Sequence, residues 1–130
     1  MNAPAISIVM PVFNAGNTVA EAIESCLHQS HPSFELIVVL DGCTDTSGEI
    51  ARSFKDSRIQ IIVCEHSGVT EASMQAIRAA RAPLIARMDA DDISHPDRLA
   101  SQEDFLRSHP GFSAVSGQVR LLNPLGDGMQ

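Results

Sequence analysis

Apolar residues fall in short runs along this chain, and the runs alternate between two rhythms. Ala5 to Val12 (AISIVMPV) is almost continuously apolar and rich in β-branched residues, the pattern of a strand covered on both faces. It stops at the turn-like Phe13-Asn14-Ala15-Gly16. Thr18-x-x-Glu21 then has the form of a capping box, and Val19, Ile23, Cys26 and Leu27 recur at helical spacing to about Gln29. His31-Pro32 closes that helix. Phe34 to Leu40 (FELIVVL) repeats the buried-strand pattern and runs into the polar loop Asp41 to Gly48, which opens a second helix with Ile50, Ala51 and Phe54 on one face. Ile59 to Cys64 predicts a third strand, followed by the loop Glu65-His66-Ser67-Gly68 and an Ala-rich helix from about Thr70 to Ala80. Pro83 separates it from a fourth strand, Leu84 to Met88. Ser94, with Pro96 in the first turn, predicts the start of a fourth helix carrying Leu99, Phe105 and Leu106. Phe112 to Leu122 is a fifth extended candidate.

Strands alternating with helices through short loops predict an α/β fold, Rossmann-like, with a mostly parallel sheet and helices on both faces. Ligands of such sheets bind outside the carboxyl ends of the strands. The polar clusters follow that rule: Pro11 to Asn14 ends strand one, Asp41 to Asp45 ends strand two, and Asp89 to Asp92 ends strand four. Three loops are expected to converge on one edge.

Bulk composition narrows the function classes. At 130 residues the chain has about the length of one domain. A net charge of -7, with nine Lys and Arg scattered along the sequence, argues against general nucleic-acid binding, which needs clustered cations. No apolar run approaches the ~20 residues of a membrane span, and the N-terminus lacks a signal-peptide pattern, so the expected address is the cytoplasm, including the inner face of the membrane. Cys26, Cys43 and Cys64 have neither metal nor disulfide-framework spacing and read as reduced thiols. The five histidines do not form a metal set.

The acidic cluster carries the chemistry. At ~4 to 8 Å and an effective dielectric of about 20, each pair among Asp89, Asp91 and Asp92 repels by roughly 2 to 4 kcal/mol, so the cluster calls for a cation. Mg²⁺ or Mn²⁺ is typically held by one or two carboxylates together with phosphate oxygens and water. On an extended segment Asp89 and Asp91 point the same way and could address one ligand while Asp92 turns elsewhere. The plainer alternative is a solvated acidic turn in which Asp92 or Ser94 caps the next helix. Asp41 stands where a carboxylate could accept from a base N–H or a ribose hydroxyl; its plainer role is an Asx-turn acceptor. Asp45 reads as a turn or cap residue. Pro11 to Asn14 offers backbone contact to a planar base, with Asn14 as a turn former. No nucleophile elbow, P-loop or dinucleotide fingerprint is present.

In their order, SIVMPVFNAGNTVAEAIESCLHQSHPSFELIVVLDGCTD and MDADDISHPDRLASQ resemble the N-terminal half of family 2 glycosyltransferases of the GT-A fold, from Ile6 to about Leu122. The resemblance implies an inverting transferase that takes a nucleoside-diphosphate sugar, often a UDP-sugar, with Mn²⁺ or Mg²⁺, and passes the sugar to a glycan or lipid-linked acceptor in polysaccharide or cell-surface glycan synthesis. It implies that Pro11, Val12 and Asp41 contact the base, with Asn14 beside them, that Asp89 or Asp91 reaches the ribose and sugar, and that Asp91, with Asp89, holds the metal. The chain departs from the family pattern at Leu40, where an Asp is common, and at His66-Ser67-Gly68 and Ser73-Met74, where Asn-containing motifs are common. Residues 1–130 are therefore expected to be the donor-binding part of a truncated GT-A domain, with the acceptor half and its general base beyond Gln130. Asn123 to Gln130 reads as a loop, and its Asp127 is not promoted to that role. Apolar surface left uncovered by a missing half would favour self-association. A non-catalytic nucleotide-sugar-binding module and a nucleotidyltransferase are the alternatives; the lack of a Gly- and Lys/Arg-rich loop after strand one counts against the second.

Overall fold

The two longest apolar runs form the centre of the sheet. In the computed structural model, which describes residues 2–122, the elements follow in the order β1 (Ile6–Val12), α1 (Val19–Leu27), β2 (Phe34–Asp41), α2 (Ser47–Ser53), β3 (Ile59–Cys64), α3 (Val69–Ala79), β4 (Leu84–Arg87) and α4 (Arg98–Ser108). All four strands are parallel, in the spatial order β3-β2-β1-β4. β1 and β2 are buried along their whole length. β3 and β4 are the two edges, and they expose Val63 and Ile85.

Alternation along β1 and β2 divides the core in two. Ile6, Ile8, Met10 and Val12, with Leu36, Val38 and Leu40, pack against Val19, Ala22, Ile23 and Cys26 of α1, Ala51 of α2 and Leu99 of α4. The opposite face sets Val9, Ile37 and Val39 against Ala72 and Ala76 of α3, whose small side chains let that helix lie close to the sheet. Each large side chain buried this way contributes about 1.5 to 3 kcal/mol. At the amino ends of the strands a polar knot ties the α3–β4 crossover down. The Ser7 hydroxyl donates to Glu35 Oε1 at 2.6 Å, and Arg81 donates to the same carboxylate through its backbone N–H at 2.8 Å and its Nε at 2.9 Å. Burial pushes the Glu35 carboxyl up, but these bonds outweigh it and leave it below the usual carboxylate range.

Three local expectations are corrected. Thr18 stands at the N-cap of α1 but makes no side-chain capping bond, so the predicted capping box does not form. α4 begins at Arg98 behind Asp97 rather than at Ser94 or Asp92, because Ser94 is buried against α1 and its N–H is given to the Ser25 hydroxyl at 2.9 Å. The fifth extended candidate is not a strand: 112–121 pair with no strand, and only Leu122 makes an isolated bridge. An apolar run forms a strand only where a neighbour offers its backbone. Phe112 instead packs edge-on to Phe105 of α4 at 5.6 Å between centroids. Asn123 to Gln130, with Asp127, lies outside the described residues.

Candidate donor site at the carboxyl edge of the sheet

The chain leaves β1 to build β2 and β3 on one side, then returns to place β4 on the other. The loops after β1 and β4 therefore diverge at that point, the usual place for a ligand in an open parallel sheet. A cleft of about 1080 Å³ lies there, lined by Pro11, Phe13, Asn14, Asp45, Asp89 and Asp91 among others. A smaller cavity of about 160 Å³ shares Pro11, Phe13 and Val69 with it and adds Val12, Asp41 and His66. All six residues expected to bind the nucleotide sugar thus line one or other of two adjacent cavities, Val12 and Asp41 only the smaller.

The first two loops are stitched together. Asn14 adopts φ 46°, a left-handed conformation that Asn tolerates better than most residues. Its Oδ1 accepts the Thr44 N–H at 2.8 Å and the Asp45 N–H at 3.3 Å. The Asp45 carboxylate accepts the Gly16 N–H and the Ser47 N–H, each at 2.9 Å, and the Ser47 hydroxyl accepts the Ala15 N–H at 2.8 Å. These bonds, those from Ser47 first, keep the Asp45 carboxyl below the usual range. Asn14 and Asp45 both act as turn residues here, as their positions in the sequence suggested.

Asp41 is 2% exposed, and its carboxylate is engaged on every side. Oδ1 accepts the Ser67 N–H at 2.7 Å, the Ser67 hydroxyl at 3.1 Å and the Cys64 thiol at 3.6 Å, while Oδ2 accepts the Gly68 N–H at 3.0 Å. His66 Nδ1 lies 3.2 Å from Oδ2. Burial pushes the Asp41 carboxyl up, but the Ser67 and Gly68 donors outweigh it and hold it below the usual range. The loop after β3 is folded onto this one side chain. Gly42, at φ 68°, makes room for it: a Cβ there would stand 2.6 Å from the His66 nitrogen. The His66 ring is stacked on Phe13 at 4.1 Å, and both rings line the smaller cavity.

Asp89, Asp91 and Asp92 are built in the opposite way. Each offers a carboxylate oxygen, and these oxygens lie within 4.8 Å of one another. Asp92 therefore joins its neighbours rather than turning elsewhere, because the chain has already left the strand and forms a turn closed by the Asp92 N–H on the Asp89 carbonyl at 3.2 Å. Partial burial, then Asp89 and Asp91, push the Asp92 carboxyl up. One compensating cation was overlooked in the sequence: Arg87 pairs with both Asp89 oxygens, at 2.9 and 3.2 Å. The i, i+2 spacing at a strand end was the available signal. The donors are hard oxygens, the set that Mg²⁺ and Mn²⁺ prefer, and exposed Asp91 and Asp92 keep the freedom to close on an ion.

The sequence pattern of Glycosyl transferase family 2 matches residues 7–123. The chain belongs to that family. Among curated relatives of this family 2 chain, a protein described as a glycosyltransferase, EpsE of Bacillus subtilis, is 34% identical over 127 residues, which cover 95% of this chain and 46% of EpsE. The chain thus spans less than half the length of that relative. Among solved structures, the mannosyltransferase PcManGT of Pyrobaculum calidifontis, in complex with GDP-Man and Mn²⁺, superposes with a TM-score of 0.74 at 23% identity, over 81% of this chain and 33% of that one. TarS 1-349 of S. aureus, in complex with UDP-GlcNAc, gives 0.72 at 23% identity, over 81% and 32%. Both likenesses establish the fold, a GT-A-like α/β sheet. Among the described residues no helix is long and apolar enough to cross a membrane.

Proposed function

We propose that this chain forms the donor side of a glycosyltransferase site, taking a nucleoside-diphosphate sugar together with Mn²⁺ or Mg²⁺ at the carboxyl edge of its sheet. The observation that carries this reading is the placing of Asp89 and Asp91 on the lining of a wide cleft at the switch point between β1 and β4, with Asp92 completing a group of three mutually repelling carboxylates. A cation bound there would oppose the charge that grows on a departing diphosphate. Asp91, with Asp89 or Asp92, would hold it, and Asp89 would release Arg87 if it is recruited.

The base belongs in the smaller compartment, against Pro11, Phe13 and His66, on a floor set by Asp41. A UDP-sugar is the first choice, the class present in the TarS complex. Asn14 and Asp45 shape the wall between base and diphosphate. The inverting step also needs a general base on the acceptor side, a group separate from the carboxylates assigned here. The acceptor is a glycan or a lipid-linked sugar in this reading.

Thermal unfolding with UDP, GDP, CDP and TDP, each with and without Mn²⁺, tests the proposal. A nucleotide present at 100 times its dissociation constant adds about 2.7 kcal/mol of stability, which raises the midpoint by several degrees. UDP with Mn²⁺ is expected to give the largest shift. No shift with any nucleotide in the presence of Mn²⁺ would overturn the reading, and sugar-nucleotide hydrolysis measured beside it separates an enzyme from a binding module.

A further inference from the structure

The stretch that carries the acidic cluster is fixed at both ends, and the hold on its far end centres on one amide, with two further hydrogen bonds beside it. We propose that Gln29 is a positioning residue for the cation corner: its amide, with the Ser25 hydroxyl, fastens segment 94–99 to the end of α1 and so sets where Asp89, Asp91 and Asp92 stand. The inference rests on the donor-site reading above.

Gln29 is only 7% exposed, and both ends of its amide are in use. Nε2 donates to the Ser25 carbonyl at 3.2 Å, the Ser94 hydroxyl at 3.2 Å and the His95 carbonyl at 2.8 Å. Oε1 accepts the Leu99 N–H at 3.1 Å, at the first turn of α4. Beside it the Ser94 N–H is given to Ser25 Oγ at 2.9 Å, and the Ser30 N–H to the Pro96 carbonyl at 2.8 Å. A buried network of this kind is rigid while every member is satisfied and loses its order when one is removed.

The near end is fixed separately. The Met88 N–H extends the sheet by donating to the Val9 carbonyl at 3.0 Å, and Arg98 donates to the Arg87 carbonyl at 2.9 Å. The four residues from Asp89 to Asp92 bridge these two points, with only Ile93 between Asp92 and Ser94. Ile93 is 55% exposed, so packing of its side chain adds little restraint. Like charge drives the three carboxylates apart, whereas a divalent ion needs their oxygens at a fixed spacing. Anchoring Ser94 opposes that spreading. Gln29 touches neither ion nor nucleotide; its effect passes through the backbone of the loop.

The test is Mn²⁺ titration of the full chain, read by loss of the free-ion EPR signal with UDP present, alongside UDP titration without metal. Gln29→Met preserves length and removes every bond of the amide. Groups hydrogen-bonded directly to metal ligands are worth about 10- to 100-fold in affinity; Gln29 stands one step further back, so Gln29→Met is expected to weaken Mn²⁺ binding by no more than about tenfold while metal-free UDP binding stays within about twofold. Gln29→Glu, which retains the acceptor for Leu99, should fall between it and wild type. Ser25→Ala removes only the neighbouring anchor, should lower Mn²⁺ affinity by a smaller factor in the same selective way, and decides the matter if Gln29→Met does not fold. Unchanged Mn²⁺ affinity in the folded variants would overturn the inference, as would an equal loss in metal-free UDP binding, the mark of a merely structural role. Wild-type protein that takes up neither Mn²⁺ nor UDP would overturn the donor-site reading itself, a result visible before any substitution is made.

Discussion

Two acidic sites stand at the same edge of the sheet and are built in opposite ways. Asp41 is buried and surrounded by donors from the loop after β3, which hold its carboxyl below the usual range. Asp91 and Asp92 are exposed, and burial with like charge pushes the Asp92 carboxyl up. The first site has its charge satisfied by the protein and returns a folded loop. The second sets Arg87, paired with Asp89, and the more distant Arg98 against three carboxylates, and keeps unbalanced charge for a ligand. Substitutions at the first should therefore act on stability, and at the second on binding.

The largest expected effect is at Asp41. Asp41→Ala leaves the Ser67 and Gly68 N–H groups without their acceptor and should cost on the order of 3 kcal/mol, measured by urea unfolding at pH 7. Because the folded carboxyl is held below its unfolded value of about 3.9, its contribution is fully present above that pH and is lost as the pH falls through the folded value. The gap between wild type and Asp41→Ala should accordingly narrow below about pH 4. An equal gap at pH 3 and pH 7 would contradict the role given to this carboxylate. Next in size is Gly42→Ala, where a positive φ and a Cβ 2.6 Å from the His66 nitrogen should together cost about 2 kcal/mol and shift the same loop without touching the carboxylate. A neutral result in the same unfolding assay would mean that the loop is not confined there.

Asp92→Asn should go the other way and by much less. Its raised carboxyl means that the folded state binds the proton more tightly than the unfolded chain, so the repulsion is present above the folded value and is relieved on acidification. Removing the charge should add a few tenths of a kcal/mol at pH 7, within the range of exposed pairs, and nothing below the ordinary carboxylate range. A destabilised Asp92→Asn would show that the cluster is already balanced without a ligand.

How much of this was legible in the sequence follows the same division between what the backbone pattern dictates and what distant residues decide. β1 and β2 were plain because a strand at the centre of a parallel sheet is apolar on both faces. The convergence of three loops followed from alternation alone. The start of α4 was misplaced because Ser94, a good cap by type, is claimed instead by Ser25 of α1 and by Gln29 just beyond it, contacts about seventy residues apart that no local pattern records. Phe112 to Leu122 had strand composition, but 112–121 found no strand to pair with and only Leu122 makes an isolated bridge. At the site, the acidic cluster could be seen from spacing, while the saturation of Asp41 depended on how the loop at His66 to Gly68 folds back across the sheet.

On the proposed reading, the exposed acidic site holds a cation that strengthens nucleotide binding. Calorimetric titration of UDP, with and without Mn²⁺, into wild type, Asp91→Asn and Asp45→Asn tests it most directly. Mn²⁺ should strengthen binding to wild type, Asp91→Asn should abolish the strengthening while changing unfolding stability by no more than about 0.5 kcal/mol, and Asp45→Asn should retain most of it. Equal behaviour of the two variants, or binding to wild type that ignores Mn²⁺, would contradict it.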